Sequence, residues 1–78
     1  ADEYLPRVVW KDPNIEDCCV VTRVTPKRIY LRQYGCLQEF YNSRETGKRY
    51  ESLSNYCVLD VEATLAEWER YRAINGNK

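Results

Sequence analysis

The feature that most restricts the fold of this chain is the alternation of side-chain types from Arg28 to Tyr34. Ile29 and Leu31 are aliphatic, and each is flanked by charged or aromatic residues. Since successive side chains of a β-strand point to opposite faces, this pattern predicts a strand with one buried and one exposed face. The exposed face then carries a row of four residues: Arg28, Tyr30, Arg32 and Tyr34.

A second predicted strand precedes this one, because the residues from Cys18 to Val24 are rich in β-branched types. Thr25, Pro26 and Lys27 separate the two strands. Proline favours the first central position of a turn, since its ring fixes φ. The two strands are therefore expected to form a hairpin.

Three further strands are expected around this hairpin, at residues 4–10, 36–41 and 48–53. Pro6 confines the first of them to a sheet edge, because proline has no N–H to donate. Gly47 suits the loop before the last, since glycine readily adopts positive φ. The strands together predict a small, strongly bent antiparallel sheet.

A change of period near the carboxyl end predicts one helix at about residues 60–74. Val61, Leu65 and Trp68 recur at intervals of three or four residues, which places them on one face of a helix. Asp60 is the expected N-cap, and the Asn75-Gly76 pair is expected to end the helix. A chain of 78 residues is expected to form a single domain, residues 1–78, with this helix packed over an open end of the sheet.

Charge is unevenly distributed, although 12 basic and 12 acidic residues give a formal net charge of zero. The segment from Arg23 to Tyr50 holds seven of the basic residues and two acidic ones, Glu39 and Glu45, which we expect to be charge partners of the arginines. Basic surfaces with interleaved aromatic rings are typical of nucleic-acid binding, since cations neutralise phosphates and bases stack on rings. We therefore expect a site for single strands or backbone contacts at Arg23, Lys27, Arg28, Tyr30, Arg32, Tyr34, Lys48 and Arg49.

Two other interpretations of this basic row stay open. The tyrosines can pair with arginine side chains across strands and form only a solvated face. The same residues can instead contact a protein, because tyrosine and arginine dominate the hot spots of protein interfaces.

Nothing in the sequence predicts catalysis. The chain has no histidine, so a serine or cysteine nucleophile lacks an imidazole base, and it has no glycine-rich phosphate loop. The adjacent Cys18 and Cys19 lack the spacing of zinc ligands. We therefore expect no enzymatic activity, no metal and no cofactor.

The four cysteines, Cys18, Cys19, Cys36 and Cys57, allow two interpretations. Their low density favours reduced thiols in a cytoplasmic protein, as small buried hydrophobes with one exposed thiol. An even number in a short chain also permits the disulfide framework of a secreted domain. No apolar run approaches the roughly 18 residues that a membrane span requires, so no membrane partner is expected.

Three short motifs lie in the middle of the chain: Val21 to Leu31, Phe40-Tyr41, and Glu45-Thr46-Gly47-Lys48-Arg49. Together they resemble the small SH3-like β-barrel proteins encoded by bacteriophages and bacteria. The chain departs from that pattern at Pro26, where glycine is frequent, and in its long carboxy-terminal helix. The resemblance implies an SH3-like barrel at about residues 4–53 and a bacterial or phage-infected cytoplasm, and it implies no particular partner, because such barrels bind RNA, DNA and proteins.

The predicted function is thus a small non-enzymatic binding module for nucleic acid or nucleoprotein. The alternative is a phage or bacterial accessory protein that binds and modulates a host protein. A secreted, disulfide-stabilised domain is the second alternative.

Overall fold

The computed structural model describes residues 5–16, 18–49 and 57–75. Its elements are, in chain order, β1 (Cys19–Val24), β2 (Arg28–Gln33), β3 (Glu39–Ser43) and α1 (Val61–Asn75). The three strands form one antiparallel sheet in the order β1-β2-β3. The chain is therefore mainly β with one carboxy-terminal helix, as its sequence predicts.

The predicted hairpin is confirmed, and each of its strands differs from the predicted range by one residue. At the turn, the backbone N–H of Thr25 donates to the carbonyl oxygen of Arg28 at 2.9 Å. The hydroxyl oxygen of Thr25 accepts in return from the N–H of Arg28 at 3.0 Å. Pro26 and Lys27 occupy the exposed tip.

A β-bulge interrupts β1 at Thr22. Val21 lies opposite Leu31 and Arg23 lies opposite Tyr30, so Thr22 is an extra residue in the register with β2. The side chains of Thr22 and Arg23, although adjacent in sequence, therefore lie on the same side of the sheet.

The third strand is predicted at residues 36–41 but runs from Glu39 to Ser43, so the prediction is wrong at both ends. A tight turn follows β2, in which Cys36 N–H donates to the carbonyl oxygen of Gln33 at 2.9 Å and Gly35 adopts a φ of 85°. This turn occupies the residues where the predicted strand would begin.

Asn42 extends β3 beyond its predicted end, although it is polar and fully buried. Its side-chain amide donates to the carbonyl oxygens of Gly47 at 2.7 Å and Cys57 at 2.8 Å. Two hydrogen bonds to backbone carbonyls offset much of the cost of burying an amide. Because both partners come from later in the chain, local patterning could not predict them.

Among the described residues, the three-stranded sheet is not closed into a barrel. Isolated bridges attach neighbouring segments to it, joining Arg7 to Val20, Trp10 to Leu59, and Asn42 to Arg49. The predicted strand at residues 4–10 is therefore wrong for residues 5–10, which make single bridges and no continuous ladder. Tyr4 and residues 50–53 of the last predicted strand lie outside the described residues.

The helix α1 begins directly after Asp60, as predicted. The Asp60 carboxylate accepts a hydrogen bond from the backbone N–H of Ala63 at 3.1 Å, which confirms it as the N-cap. Val61, Leu65 and Trp68 pack against the core, which confirms the predicted apolar stripe. The helix ends at Asn75, and Gly76 lies outside the described residues.

The core lies between one face of the sheet and α1. Its buried members are Val8, Cys19, Val21, Ile29, Leu31 and Leu59. Thr64 is also fully buried, and its hydroxyl accepts from the backbone N–H of Val9 at 3.0 Å and donates to the carbonyl oxygen of Val9 at 3.2 Å. This reciprocal pair fixes the amino-terminal segment against the helix.

Gly47 marks the closest approach between two backbone segments. It is buried, adopts a φ of 79°, and accepts a 2.8 Å hydrogen bond from the backbone N–H of Leu59. A Cβ atom at this position would collide with the carbonyl oxygen of Leu59. Glycine is therefore required here by space as well as by backbone conformation.

The chain offers a matched test of this requirement, because Gly35 has the same sign of φ but no heavy atom within 4 Å of a Cβ. Gly35→Ala should lower the free energy of unfolding by about 1 to 2 kcal/mol, the cost of a left-handed residue. Gly47→Ala should cost about 1 to 3 kcal/mol more, because it adds steric overlap. Equal losses of stability in urea denaturation would contradict the close packing of Gly47 on Leu59.

All four cysteines are thiols, and Cys19 and Cys57 are buried. Cys18 and Cys36 are both exposed, whereas the sequence predicts a single exposed thiol, so that prediction is wrong. Cys18 points outward because it directly precedes the inward-facing Cys19, and successive strand residues alternate.

An alkylating reagent applied to the native protein is therefore expected to modify Cys18 and Cys36 and to spare the buried pair, which should react only after denaturation. Peptide mass spectrometry identifies the modified positions. Fewer than four reactive thiols in denaturant without a reductant would instead support the disulfide-stabilised, secreted alternative.

Candidate binding site on the outer sheet face

The side of the sheet that faces away from the core carries charged and aromatic side chains. Across the strands, Arg23 lies opposite Tyr30, Tyr30 opposite Tyr41, and Arg32 opposite Glu39. Because residues directly opposite one another share a face, these side chains form one surface. We name it the outer face, and its members are Thr22, Arg23, Arg28, Tyr30, Arg32, Glu39 and Tyr41.

Arginine cations cover the tyrosine rings of the outer face. The Arg23 guanidinium carbon lies 3.9 Å from the centroid of the Tyr30 ring, and that of Arg28 lies 4.3 Å from the centroid of Tyr41. The two rings are 5.7 Å apart, and Arg28 Nη1 donates to the Tyr30 hydroxyl at 3.3 Å. Each exposed cation–π contact contributes about 0.5 to 1 kcal/mol. The result is an arginine–tyrosine lattice that spans all three strands.

This lattice changes what the tyrosines can offer to a ligand. Tyr30 and Tyr41 are half-buried, whereas Arg23 and Arg28 are exposed. The pairing of tyrosines with arginines across strands, one of the interpretations of the sequence, is therefore present. A ligand that approaches the outer face meets guanidinium groups before it meets an open ring.

Glu39 holds the edge of the lattice in place. Its carboxylate accepts from Arg23 Nη2 at 3.4 Å and from the Thr22 hydroxyl at 2.5 Å. Both donors reach the same carboxylate because the bulge puts them on one side of the sheet. An exposed ion pair of this kind adds little stability, so its main effect is to position Arg23. The expected role of Glu39 as a charge partner is confirmed.

A cleft of about 380 Å³ lies at the hairpin end of the outer face. Arg44 anchors one wall, since its backbone N–H donates to the Lys27 carbonyl at 3.0 Å and its Nη1 donates to the Thr25 carbonyl at 2.9 Å. The loop after β3 is thereby docked on the hairpin turn. The lining residues are Pro26, Lys27, Arg28, Tyr41, Ser43, Arg44 and Glu45.

At its other end the outer face reaches a groove of about 300 Å³ between the sheet and α1. Arg32 and Val20 line it from the sheet, and Trp68 and Tyr71 line it from the helix. The two aromatic rings are stacked, with centroids 5.5 Å apart and an interplanar angle of 26°. Trp68 thus borders a surface groove in addition to the core. The sequence predicts only its packing in the core.

The structure brings together most of the predicted site. Arg23, Arg28, Tyr30 and Arg32 share the outer face, and Lys27 lines the adjoining cleft. Tyr34 lies beyond the end of β2, is 64% exposed, and borders a separate cavity beside Arg7 and Cys18.

Lys48 and Arg49, the last two predicted site residues, point to opposite sides of the sheet. Lys48 lines a different cavity with Lys11. Arg49 lies opposite Asn42, which points inward, so Arg49 points to the same side. Its guanidinium accordingly packs over the ring of Phe40 at 4.9 Å. The same register leaves Lys48 on the side of Ser43, whose backbone N–H donates to the Lys48 carbonyl oxygen at 2.9 Å, so of these two residues Arg49 alone faces the core side.

Sequence reasoning missed Thr22, Tyr41 and Arg44. Tyr41 and Arg44 depend on the register of β3, which begins three residues later than predicted. Thr22 depends on the bulge, which no local pattern indicates. The high density of basic and aromatic residues from Arg23 to Tyr50 was the available signal for the first two.

Among residues 5–16, 18–49 and 57–75, no three or more His, Cys, Asp or Glu side chains are grouped in a way that could hold a metal ion. In the same described ranges, no helix is both long and apolar enough to cross a membrane.

The chain matches no protein-family model, no curated protein and no solved structure significantly. The SH3-like barrel and the phage or bacterial setting that its motifs imply therefore stay predictions.

Proposed function

We propose that this chain is a non-enzymatic binding module that holds single-stranded nucleic acid, or the phosphate backbone within a nucleoprotein, against its outer face. One observation carries the proposal: among the described residues, the outer face and its cleft join five cations and two carboxylates, Glu39 and Glu45. The cations are Arg23, Lys27, Arg28, Arg32 and Arg44. Such an excess of positive charge on one surface attracts polyanions and releases their counterions on binding.

The lattice favours contact with phosphates over stacking with bases. Guanidinium groups lie over the rings of Tyr30 and Tyr41, and their N–H edges match the geometry of phosphate oxygens. Phosphate contacts position a ligand without reading its sequence. Binding is therefore expected to depend steeply on salt and only weakly on base identity.

The salt dependence tests this function directly. Replacing Arg28 and Arg32 together by Gln should lower the log-log slope of affinity against salt by about 1.4 for a single strand, since each lost phosphate contact removes roughly 0.7. The matched control replaces Lys11 and the exposed Arg72 of α1 by Gln, which removes the same charge from positions outside the outer face and its cleft. Fluorescence anisotropy with a labelled oligonucleotide measures both slopes.

An equal reduction in the two double variants would mean that net charge, and no particular surface, drives binding. No binding of DNA or RNA by the wild type at low ionic strength would end the nucleic-acid proposal. The solvated-face interpretation of the sequence would then stand for the outer face.

A second candidate is a phage or bacterial accessory protein that binds and modulates a host protein in the bacterial cytoplasm. It is favoured by the turn after β2, where Leu37 is 96% exposed next to the exposed Cys36 and near Tyr34. Exposed apolar and aromatic side chains grouped on a loop are typical of protein contacts. Capture of a bacterial protein that survives nuclease and is lost in Leu37→Ser would favour this candidate.

We further propose that the chain adopts an SH3-like barrel. The isolated bridges support it, because they continue the strand pairing beyond both edges of the sheet. Beyond β1 the pairing passes through Arg7 and Trp10 to Leu59, and beyond β3 it passes to Arg49. The Leu59 N–H also donates to the Gly47 carbonyl, so the two sides approach each other.

A further inference from the structure

We infer that the cleft at the hairpin end of the outer face is a subsite for one phosphate group, occupied by a phosphodiester when a strand is bound. The inference deepens the proposed nucleic-acid function and rests on it for the identity of the ligand. The cleft is the part of the outer face at which we expect the contacts with phosphate to be concentrated.

Three cations reach the cleft from two segments of backbone, since Lys27 and Arg28 are adjacent in the chain. Lys27 comes from the hairpin turn, Arg28 from the start of β2, and Arg44 from the loop after β3. The pairing of Arg28 with Ser43 and the hydrogen bond from Arg44 N–H to the Lys27 carbonyl hold these segments together. Cations contributed by two facing segments suit a phosphate, whose negative charge is spread over oxygens pointing in different directions.

The two arginines are positioned before any ligand arrives. Arg44 Nη1 is tied to the Thr25 carbonyl at 2.9 Å, which leaves its other N–H groups as donors. Arg28 is held over the Tyr41 ring at 4.3 Å and bonded to the Tyr30 hydroxyl. Binding therefore has to immobilise fewer side chains, which lowers its entropic cost.

A hydroxyl group adds a neutral donor to the same cleft. The Ser43 oxygen accepts from the backbone N–H groups of Glu45 at 3.1 Å and Thr46 at 3.3 Å. With its oxygen engaged in this way, the hydroxyl can still donate its own hydrogen. Ser43 lines the cleft, so that donor is within the site.

In the part of the chain that the structure describes, Glu45 is the one acidic residue that lines the cleft. Its carboxylate weakens the attraction for an anion but leaves an excess of two positive charges from Lys27, Arg28 and Arg44. Glu45 therefore tunes affinity downward, and its neutralisation should strengthen phosphate binding. A gain of affinity cannot be produced by a variant that merely fails to fold, so Glu45 gives the inference its sharpest test.

The experiment uses the whole chain and two probes, pyrophosphate and an oligothymidylate of about ten nucleotides. Pyrophosphate supplies the phosphate chemistry alone, and the oligonucleotide supplies the same chemistry within a strand. Amide chemical shifts in two-dimensional NMR locate each probe, and titration gives its affinity. The variants are Lys27→Gln and Glu45→Gln, with Lys11→Gln as the matched control from a separate cavity.

Both probes should shift the amides of Lys27, Arg28, Ser43 and Arg44. Lys27→Gln is expected to weaken both affinities about fivefold, and Glu45→Gln to strengthen them about fivefold, because one charge at contact distance in water is worth about 1 kcal/mol. Lys11→Gln should change either affinity by less than about twofold, since Lys11 lies on the amino-terminal segment and does not line the cleft.

The outcomes separate this inference from the proposed function. If the oligonucleotide binds but is insensitive to Lys27→Gln and Glu45→Gln, the cleft inference is overturned and the function stands. If pyrophosphate binds in the cleft and no oligonucleotide is retained, the phosphate subsite stands and the nucleic-acid function fails. If neither probe shifts the cleft amides, the phosphate subsite is overturned.

Discussion

The carbonyl oxygen of Gly47 is the junction on which most of this small structure depends. It accepts hydrogen bonds from the Asn42 side chain on β3 and from the backbone N–H of Leu59, just before the helix. Leu59 in turn bridges Trp10, and the Asp60 N–H donates to the Val9 carbonyl at 2.8 Å. A single buried oxygen thus connects the sheet to the segment that brings in the amino-terminal residues and the helix. The three hydrogen bonds replace the continuous ladder that a longer strand would supply.

The loop that contains Gly47 also forms one wall of the candidate site. The loop from Ser43 to Lys48 packs Gly47 against Leu59 at one end and docks Arg44 on the hairpin turn at the other. The cleft wall is therefore as rigid as the packing behind it. The same loop contributes to the stability of the fold and positions the residues of the cleft. This explains why a chain with so small a core can hold charged side chains in fixed positions.

The local patterns of the sequence predict the elements well and their arrangement only in part. The β-branched composition places β1 within one residue, alternation does the same for β2, and the Asp60 cap places the start of the helix. The end of the third strand is misplaced because Asn42 is polar and buried, and its partners Gly47 and Cys57 lie five and fifteen residues further along the chain. The same error in register accounts for the site: the residues of β2 are predicted, whereas those that depend on β3 and its loop are missed. Local sequence patterns indicate the face of the sheet on which a side chain lies, whereas the pairing between segments determines which residues that side chain contacts.

The bulge at Thr22 determines which changes of chain length β1 can accept. Val21 and Val24 both face the core although they are three positions apart. In a regular strand, residues on one face are separated by an even number of positions, so the extra residue of the bulge accounts for the odd spacing. A deletion of Thr22 would join Val21 to Arg23 and keep Arg23 opposite Tyr30 and Val24 opposite Ile29. A deletion of Val21 would instead slide the bulged threonine into the core. In evolutionary terms, Thr22 is a position where a one-residue deletion is silent for the pairing of β1 with β2, whereas the same deletion at Val21 changes which side chain the core receives.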